Sequence, residues 1–459
     1  MDNQIIINKL KHICFKKKKF SAQNFQEIYS RIWTKKGFTV FLEKDESAIF
    51  NEIVKEVFSD PIIHQNYSMN DVEKSVQEII SKVLKEPRKN REEKIKNEVD
   101  LFLQSLISNI NDWAFIFPIE NLKLSIRQLK INDVILYRFN RYRAKKYLEM
   151  VRSNLDQNKY YENKDNVKSQ LINQIRKYAV FPLLNRTCAE IRVKGTQDGA
   201  RQKALRKLDF ALSSIKLFTH VSNLSLKSYF GLSGEIIPSN IRSILGYKSD
   251  KTEFHPRTER TGFLFPYELD KEKTKIMKKY GLNIILGIER ETDKTDLETR
   301  LLNSILWYSK AYDIPVVREA KDARLKSGNS KQSEESEFFS LGDKFLKLIV
   351  ALECLLIFGR ENKRDNISKR SSYILTYSYN ERAKIQKYLK EAYDIRSKIV
   401  HEGGYAVSQS ETLKLMYYIQ QVIITFIRFK NKWKIKTNED FYQWLEKNRL
   451  QDRLKTKIK

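Results

Sequence analysis

The spacing of apolar and polar positions changes character twice along the chain. Up to about residue 105, apolar residues recur every three or four positions. "FQEIYSRIW" (25–33) and "VEKSVQEIISKVLKE" (72–86) each predict an amphipathic helix, and "PRKNREEKIKNE" (87–98) reads as a charged connection. In the middle, "WAFIFPIENLKLSIRQLKINDVILYRF" (113–139) is rich in β-branched and aromatic residues with partial alternation, which predicts short strands. "CAEIRVKG" (188–195) predicts another strand, running into the long amphipathic helix "TQDGARQKALRKLDFALSSIKLF" (196–218). "KSDKTEFHPRTERTGF" (248–263) is polar and reads as a loop.

Beyond about residue 292 the helical period returns and stays. Helices are predicted over 296–314, 333–359, 366–377, 380–404 and 410–433, the last taken as the final long one. The second is apolar on nearly all sides, the mark of a central bundle helix. "KDARLKSGNSKQSEES" (321–336) reads as a mobile loop, and the pair Gly403–Gly404 as a helix stop. The expected fold is multidomain and predominantly α, with an α/β or α+β middle region. Residues 1–105 form a mostly helical N-terminal region, 106–290 a regulatory or sensing domain and 291–459 a helical bundle.

Composition narrows this picture. Apolar residues make up 41% of the chain, with 25 Phe and 23 Tyr, which excludes a disordered protein. Only 14 Gly and 8 Pro fit long helices better than turn-rich β structure. Cys14, Cys188 and Cys354 lie far apart with no ligand-type spacing, pointing to a reducing compartment and to neither a disulfide frame nor a zinc site. The most apolar stretch, "FLKLIVALECLLIFG" (345–359), is too short to span a bilayer and carries Lys347 and Glu353. With a polar, Lys-rich start and no secretory signal pattern, a cytoplasmic protein with no membrane partner is expected. The net charge of +29 favours a polyanion, nucleic acid foremost. AT-rich coding, which inflates Lys, Ile and Asn together, would raise the same charge without any such partner.

One segment concentrates the candidate chemistry: "DIRSKIVHEGG" (394–404). On its helix, Leu389, Ala392, Tyr393, Ile395, Ile399 and Val400 share one broad apolar face at about 100° per residue, and Arg396 falls near the middle of it. A buried arginine needs a partner, a cleft or a second subunit. Glu353, in an otherwise apolar helix, faces the same problem with opposite sign. His401 lies five residues beyond Arg396, pointing roughly 140° away on an ideal helix. Length of the arginine, loosening of the last turn, or pairing of two copies across a symmetry axis would reunite them. The helix dipole favours the protonated imidazole there. The plain structural alternative is a helix-capping histidine and a salt-bridged arginine.

"YDIRSKIVHEGG" resembles the Arg-x4–6-His signature of HEPN domains, and "LLNSILWYSKAY" and "KFLKLIVALECLL" resemble the first two helices of that bundle. The nearest branch by pattern is the ApeA-like anti-phage HEPN proteins, which "FPIENLKLSIRQLKINDVIL" and "AEIRVKGTQDGARQKAL" also resemble upstream. The HEPN likeness covers roughly 292–435, and residues 1–105 are unmatched. The resemblance implies metal-independent endoribonuclease activity with no cofactor, in a homodimer formed through the bundle. It further implies action on RNA in abortive infection, with activity restrained until a phage-derived trigger arrives. Carried over by position, His401 is the general acid/base, Arg396 stabilises the phosphate and Glu353 orients Arg396, with Ser397 and Lys398 in support. Ser397 stands where the family often has Asn, Asp or His, removing acid–base help from that position. Gly403 stands where some toxin members carry a modifiable tyrosine, the nearest here being Tyr405.

Competing readings are a catalytically silent HEPN module for RNA binding or dimerisation, and a DNA-directed nuclease. For the second, "EIRVK" (190–194) has Arg192 where a metal-binding carboxylate would be needed. No P-loop sequence is present. His12, His64, His220 and His255 are scattered, and Trp307, Tyr308, Tyr417 and Tyr418 have core-like helical spacing.

Overall fold

The computed structural model describes residues 3–15, 29–35, 38–108, 110–157, 164–219, 230–232, 240–247, 254–261, 266–312, 332–402 and 407–456. Contacts divide the chain into two units, residues 1–115 with 191–207, and residues 116–190 with 208–459.

In the first unit, helix α1 (Asn3–Phe15) is followed by the hairpin β1 (Tyr29–Lys35) and β2 (Phe38–Glu43). Then come α2 (Lys44–Phe58), α3 (Pro61–Asn66), α4 (Met69–Lys85) and α5 (Arg91–Ser108). Ile6, Leu10 and Ile13 of α1, Phe50, Ile53 and Val57 of α2, and Val76, Ile80 and Val83 of α4 bury against one another. The "YSRIW" part of the segment read as a helix is strand: β-branched and aromatic residues pair with β2, Trp33 opposite Val40, and the pairing overrides the helical spacing. Residues 25–28 of that segment lie outside the described residues, as does the lysine run 16–19. The charged "connection" is itself mostly helix, because Ile95 and Val99 of α5 are fully buried within its charged surface. Arg91 fastens the start of α5, donating to the carbonyls of Cys14 at 2.7 Å and Glu86 at 3.1 Å.

Further along the chain, β3 (Asn111–Glu120), β5 (Gln128–Ile131), β6 (Val134–Arg138), β7 (Thr187–Gly195) and β8 (Gly231–Leu232) form one sheet in the order β5-β6-β7-β3-β8, while β4 (Leu122–Leu124) pairs in parallel with β11 (Tyr267–Leu269). The expected strands of the middle region are therefore present, and α8 (Gln197–Phe218) follows β7 as the spacing predicts. Between β6 and β7 lie α6 (Arg141–Gln157) and α7 (Asp165–Ile175). One correction applies to 248–263: residues 254–261 are strand β10, paired antiparallel with β9 (Asn240–Tyr247), and the rest of that segment lies outside the described residues.

The C-terminal region is helical: α9 (Lys271–Tyr280), α10 (Leu282–Arg290), α11 (Asp296–Lys310), α12 (Gln332–Leu356), α13 (Lys363–Leu375), α14 (Tyr379–Glu402), α15 (Gln409–Trp433) and α16 (Asn438–Thr456). Helix α12 packs against α11, α13, α14 and α15, as its all-round apolarity requires. Two expectations are corrected. The loop and helix readings overlap at 333–336; α12 begins at Gln332, so the helix reading holds there and the end of the loop is corrected, while 321–331 lie outside the described residues. Helix α15 is not the last long helix: α16 follows and packs on α13, burying Phe441, Trp444 and Leu445 at three- and four-residue spacing. No helix among the described residues is long and apolar enough to cross a membrane.

Candidate functional site

Helix α14 carries the candidate site, and its burial fades along its length. Leu389 and Ala392 are fully buried; Tyr393, Ile395 and Ile399 are half-buried; Val400 is 50% exposed. The apolar face is thus continuous in sequence but only its first part is covered, a correction to the single buried face predicted for it.

Arg396 stands where that cover begins to thin. Its side chain retains 25% of its exposure, and Nη2 lies 3.9 Å from Oε1 of Glu353 on α12, whose side chain retains 15%. Glu353 is shared: its Oε2 accepts a hydrogen bond from Lys363 Nζ at 3.1 Å, at the start of α13. Its Oε1 is buried and accepts no hydrogen bond. The guanidinium also lies 5.6 Å from the centre of the Tyr393 ring. Burial, and then the negative charge of Glu353, hold the Tyr393 phenol above its usual range, so it is neutral at physiological pH.

His401 lies exposed in the last turn of α14. Ser397 is half-buried and Lys398 exposed. The structure therefore brings Glu353 and Arg396 together and leaves His401 facing solvent at the helix end. The Gly403–Gly404 stop and Tyr405 lie outside the described residues.

The sequence reading missed the ionic frame around this pair. Arg364 grips Asp394 with both ends of its fork, Nε to Oδ1 at 2.6 Å and Nη2 to Oδ2 at 2.7 Å. Lys390 reaches Asp365 at 2.9 Å. Both pairs tie the start of α13 to α14, and the Arg364 hydrogen bond holds the Asp394 carboxyl below its usual range. The signal was the run "KRD" at 363–365, which puts two cations and an acid in the first turn of α13.

Of the aromatic positions read as core, Tyr308 is fully buried and Trp307 and Tyr418 are half-buried. Tyr417 is 49% exposed, because it sits one position round the helix from the buried stripe of Leu415, Met416 and Ile419. His12 and His64 are exposed; His220 lies outside the described residues.

The arrangement offers a fixed cation with unused donors, and a titratable imidazole open to solvent on the same helix. A guanidinium can hold a phosphate oxygen and an imidazole can move a proton, but in one copy the two diverge by about 140° around the helix. No family model, no curated protein and no solved structure matches the chain.

Proposed function

We propose that the C-terminal helical region is a HEPN-type endoribonuclease that needs no metal ion and serves in defence against phage. The observation that carries this reading is Arg396, held beside Glu353 by charge at 3.9 Å, on the helix whose last turn exposes His401. In the proposed reaction the ribose 2′-oxygen gives up its proton and bonds to the adjacent phosphorus as the bond from phosphorus to the 5′-oxygen breaks, leaving a 2′,3′-cyclic phosphate and a 5′-hydroxyl; His401 serves this proton transfer. Arg396 stabilises the charge that grows on the phosphate oxygens. Requirement for a 2′-OH restricts the substrate to RNA.

Arg396 and His401 diverge by about 140° around one helix, so a single copy does not aim both at one phosphate. A homodimer paired along the half-covered end of α14 would supply the arginine of one copy and the histidine of the other. The exposed Val400 and half-buried Ile399 fit such a pairing. A cytoplasmic nuclease of this kind has to be restrained until a phage-derived trigger arrives, and residues 1–290 are the proposed restraint.

The second reading is a catalytically silent module for RNA binding or dimerisation. The exposure of His401, turned about 140° around α14 from Arg396, favours it. Full-length protein incubated with RNA in EDTA separates the two. Cleavage by the wild type and none by His401→Ala supports the nuclease. Cleavage that survives His401→Ala removes the proposed site, and a wild type inactive with phage lysate present favours the silent module.

A further inference from the structure

Helix α6 carries a surface that the proposed cleavage site does not use. Of its 17 residues only Ala144 is buried outright. Two hollows open along it. One, of about 280 Å³, is lined by Arg127, Arg138, Asn140, Tyr142, Arg143 and Lys146. The other, of about 500 Å³, has an apolar floor of Ala144, Leu148, Ile172 and Leu184. Arg141, Arg152 and Arg176 rim it, and Phe181 stands at its edge.

Cations on a helix are usually no more than a solvated face. Three features set this one apart. Arg127, Arg141, Lys146, Arg152 and Arg176 have no ion-pair partner among the described residues. Aromatic rings that line the two hollows are exposed to solvent, Tyr142 at 74% and Phe181 at 53%. The apolar side chains lie at the bottom of a hollow, not on a ridge. Arg143 is also pre-set: its guanidinium rests 3.7 Å from the centre of the Tyr137 ring, with Glu190 at 3.9 Å.

We propose that this face binds single-stranded nucleic acid. Phosphates would lie along the Arg and Lys rim, with bases stacked on Tyr142 and Phe181 and one base entering the apolar hollow. Stacking on exposed rings and entry into a hollow both need unpaired bases, which a duplex hides. Arginine in place of lysine suits the task, because its flat fork both pairs with phosphate and stacks. An anionic membrane would instead call for a convex apolar ridge flanked by cations, whereas here the apolar floor is recessed. The inference stands apart from the Arg396 and His401 reading, since none of its residues belongs to that site.

The test uses full-length His401→Ala protein, so that any RNA stays intact. It is titrated with a labelled unstructured RNA, the DNA of the same sequence, the matching duplex, and phosphatidylserine-containing vesicles. Single strands of either sugar are expected to bind more tightly than the duplex. Tyr142→Ala with Phe181→Ala, both at exposed positions, is expected to weaken single-strand binding about tenfold or more. Arg141→Gln, Arg152→Gln and Arg176→Gln together are expected to flatten the dependence of log affinity on log salt by about two. Unchanged single-strand binding in the aromatic variant overturns the proposal. So does duplex binding as tight as single-strand binding, or a preference for vesicles that the arginine variant abolishes. Loss of cleavage in an otherwise wild-type protein with intact binding would fault the nuclease reading alone.

Discussion

Arg396 of α14 and Glu353 of α12 attract each other across 3.9 Å without a hydrogen bond between them. Nearby arginines are locked differently. Arg364 grips Asp394 at 2.6 and 2.7 Å, and Arg370 grips Glu361 with 2.7 Å bonds from both Nη atoms. A fork closed on a carboxylate has its best donors spent. Arg396, positioned by charge alone, keeps its N–H groups for a ligand oxygen.

This predicts an asymmetry between the two partners. Glu353→Gln removes the one negative charge lying between Arg396 and Lys363, leaving two cations facing each other in a half-buried setting. It should cost about 1–2 kcal/mol, below the range for a fully buried pair because both cations retain solvent. Arg396→Ala leaves Glu353 still bonded to Lys363 and should cost less. Urea midpoints of the two variants decide this; equal losses would mean that Arg396, not Lys363, is the main counter-charge of Glu353.

The sequence made the arginine's problem legible and even its solution. An arginine on an apolar helical face and a glutamate in an apolar helix each need a partner, and they are found together. Periodicity also located α11 to α15, because a buried bundle imposes its spacing on the chain. It failed where pairing between strands decides the conformation: residues 29–33 and 254–261 become strand only by virtue of β2 and β9. It missed α16, although Phe441, Trp444 and Leu445 keep helical spacing, because this short apolar cluster stands in an otherwise polar and charged stretch. The Arg364–Asp394 and Lys390–Asp365 ties were missed for another reason: the run at 363–365 marks charges at a helix start, but no spacing rule relates surface charges about 25–30 residues apart.

Tyr308 and Tyr312 share a hydroxyl–hydroxyl hydrogen bond of 2.5 Å in a fully buried setting, and burial pushes both phenols well above their usual range. Tyr308→Phe or Tyr312→Phe strands the other hydroxyl without a partner, which should cost about 1–3 kcal/mol. The double variant removes both polar groups and should cost clearly less than the sum of the singles. A thermal or urea double-mutant cycle measures the difference; strict additivity would show that each hydroxyl has a second partner.

Acid should unfold the protein through a small set of buried and half-buried carboxylates. Burial pushes the Glu298 carboxyl up, but the bonds from Lys430 and the Thr295 N–H outweigh it and leave it below its usual range. The same balance holds for Glu361, with Arg370 and the Phe358 N–H, and for Glu98, with Lys82 and Lys94. A carboxyl lowered by folding contributes stability above its unfolded value, near 4.5, and loses it as pH falls through the folded value. Urea midpoints should therefore hold from neutral pH to about pH 5 and drop progressively below it. Lys430→Met leaves burial at Glu298 opposed by Thr295 alone, so the variant should be less stable at neutral pH and lose less further stability than the wild type on acidification.

Gly281 joins α9 to α10 at φ +118°, and a Cβ placed there would stand 2.7 Å from Cγ2 of Ile427 on α15. Gly281→Ala therefore meets two costs: a backbone conformation that side chains resist, and a collision with a fully buried methyl. Gly359, at φ +87°, has nothing within 4 Å of the same added atom. Gly359→Ala should show the backbone cost alone, about 1 kcal/mol. Gly281→Ala should lose about 2–4 kcal/mol, the excess being the overlap with Ile427. Ile427→Leu takes the branch methyl away from Cβ, so in the Gly281→Ala background it should recover part of that excess. Thermal melts of the four proteins test the partition, and equal losses at the two glycines would show that α15 yields freely at this contact.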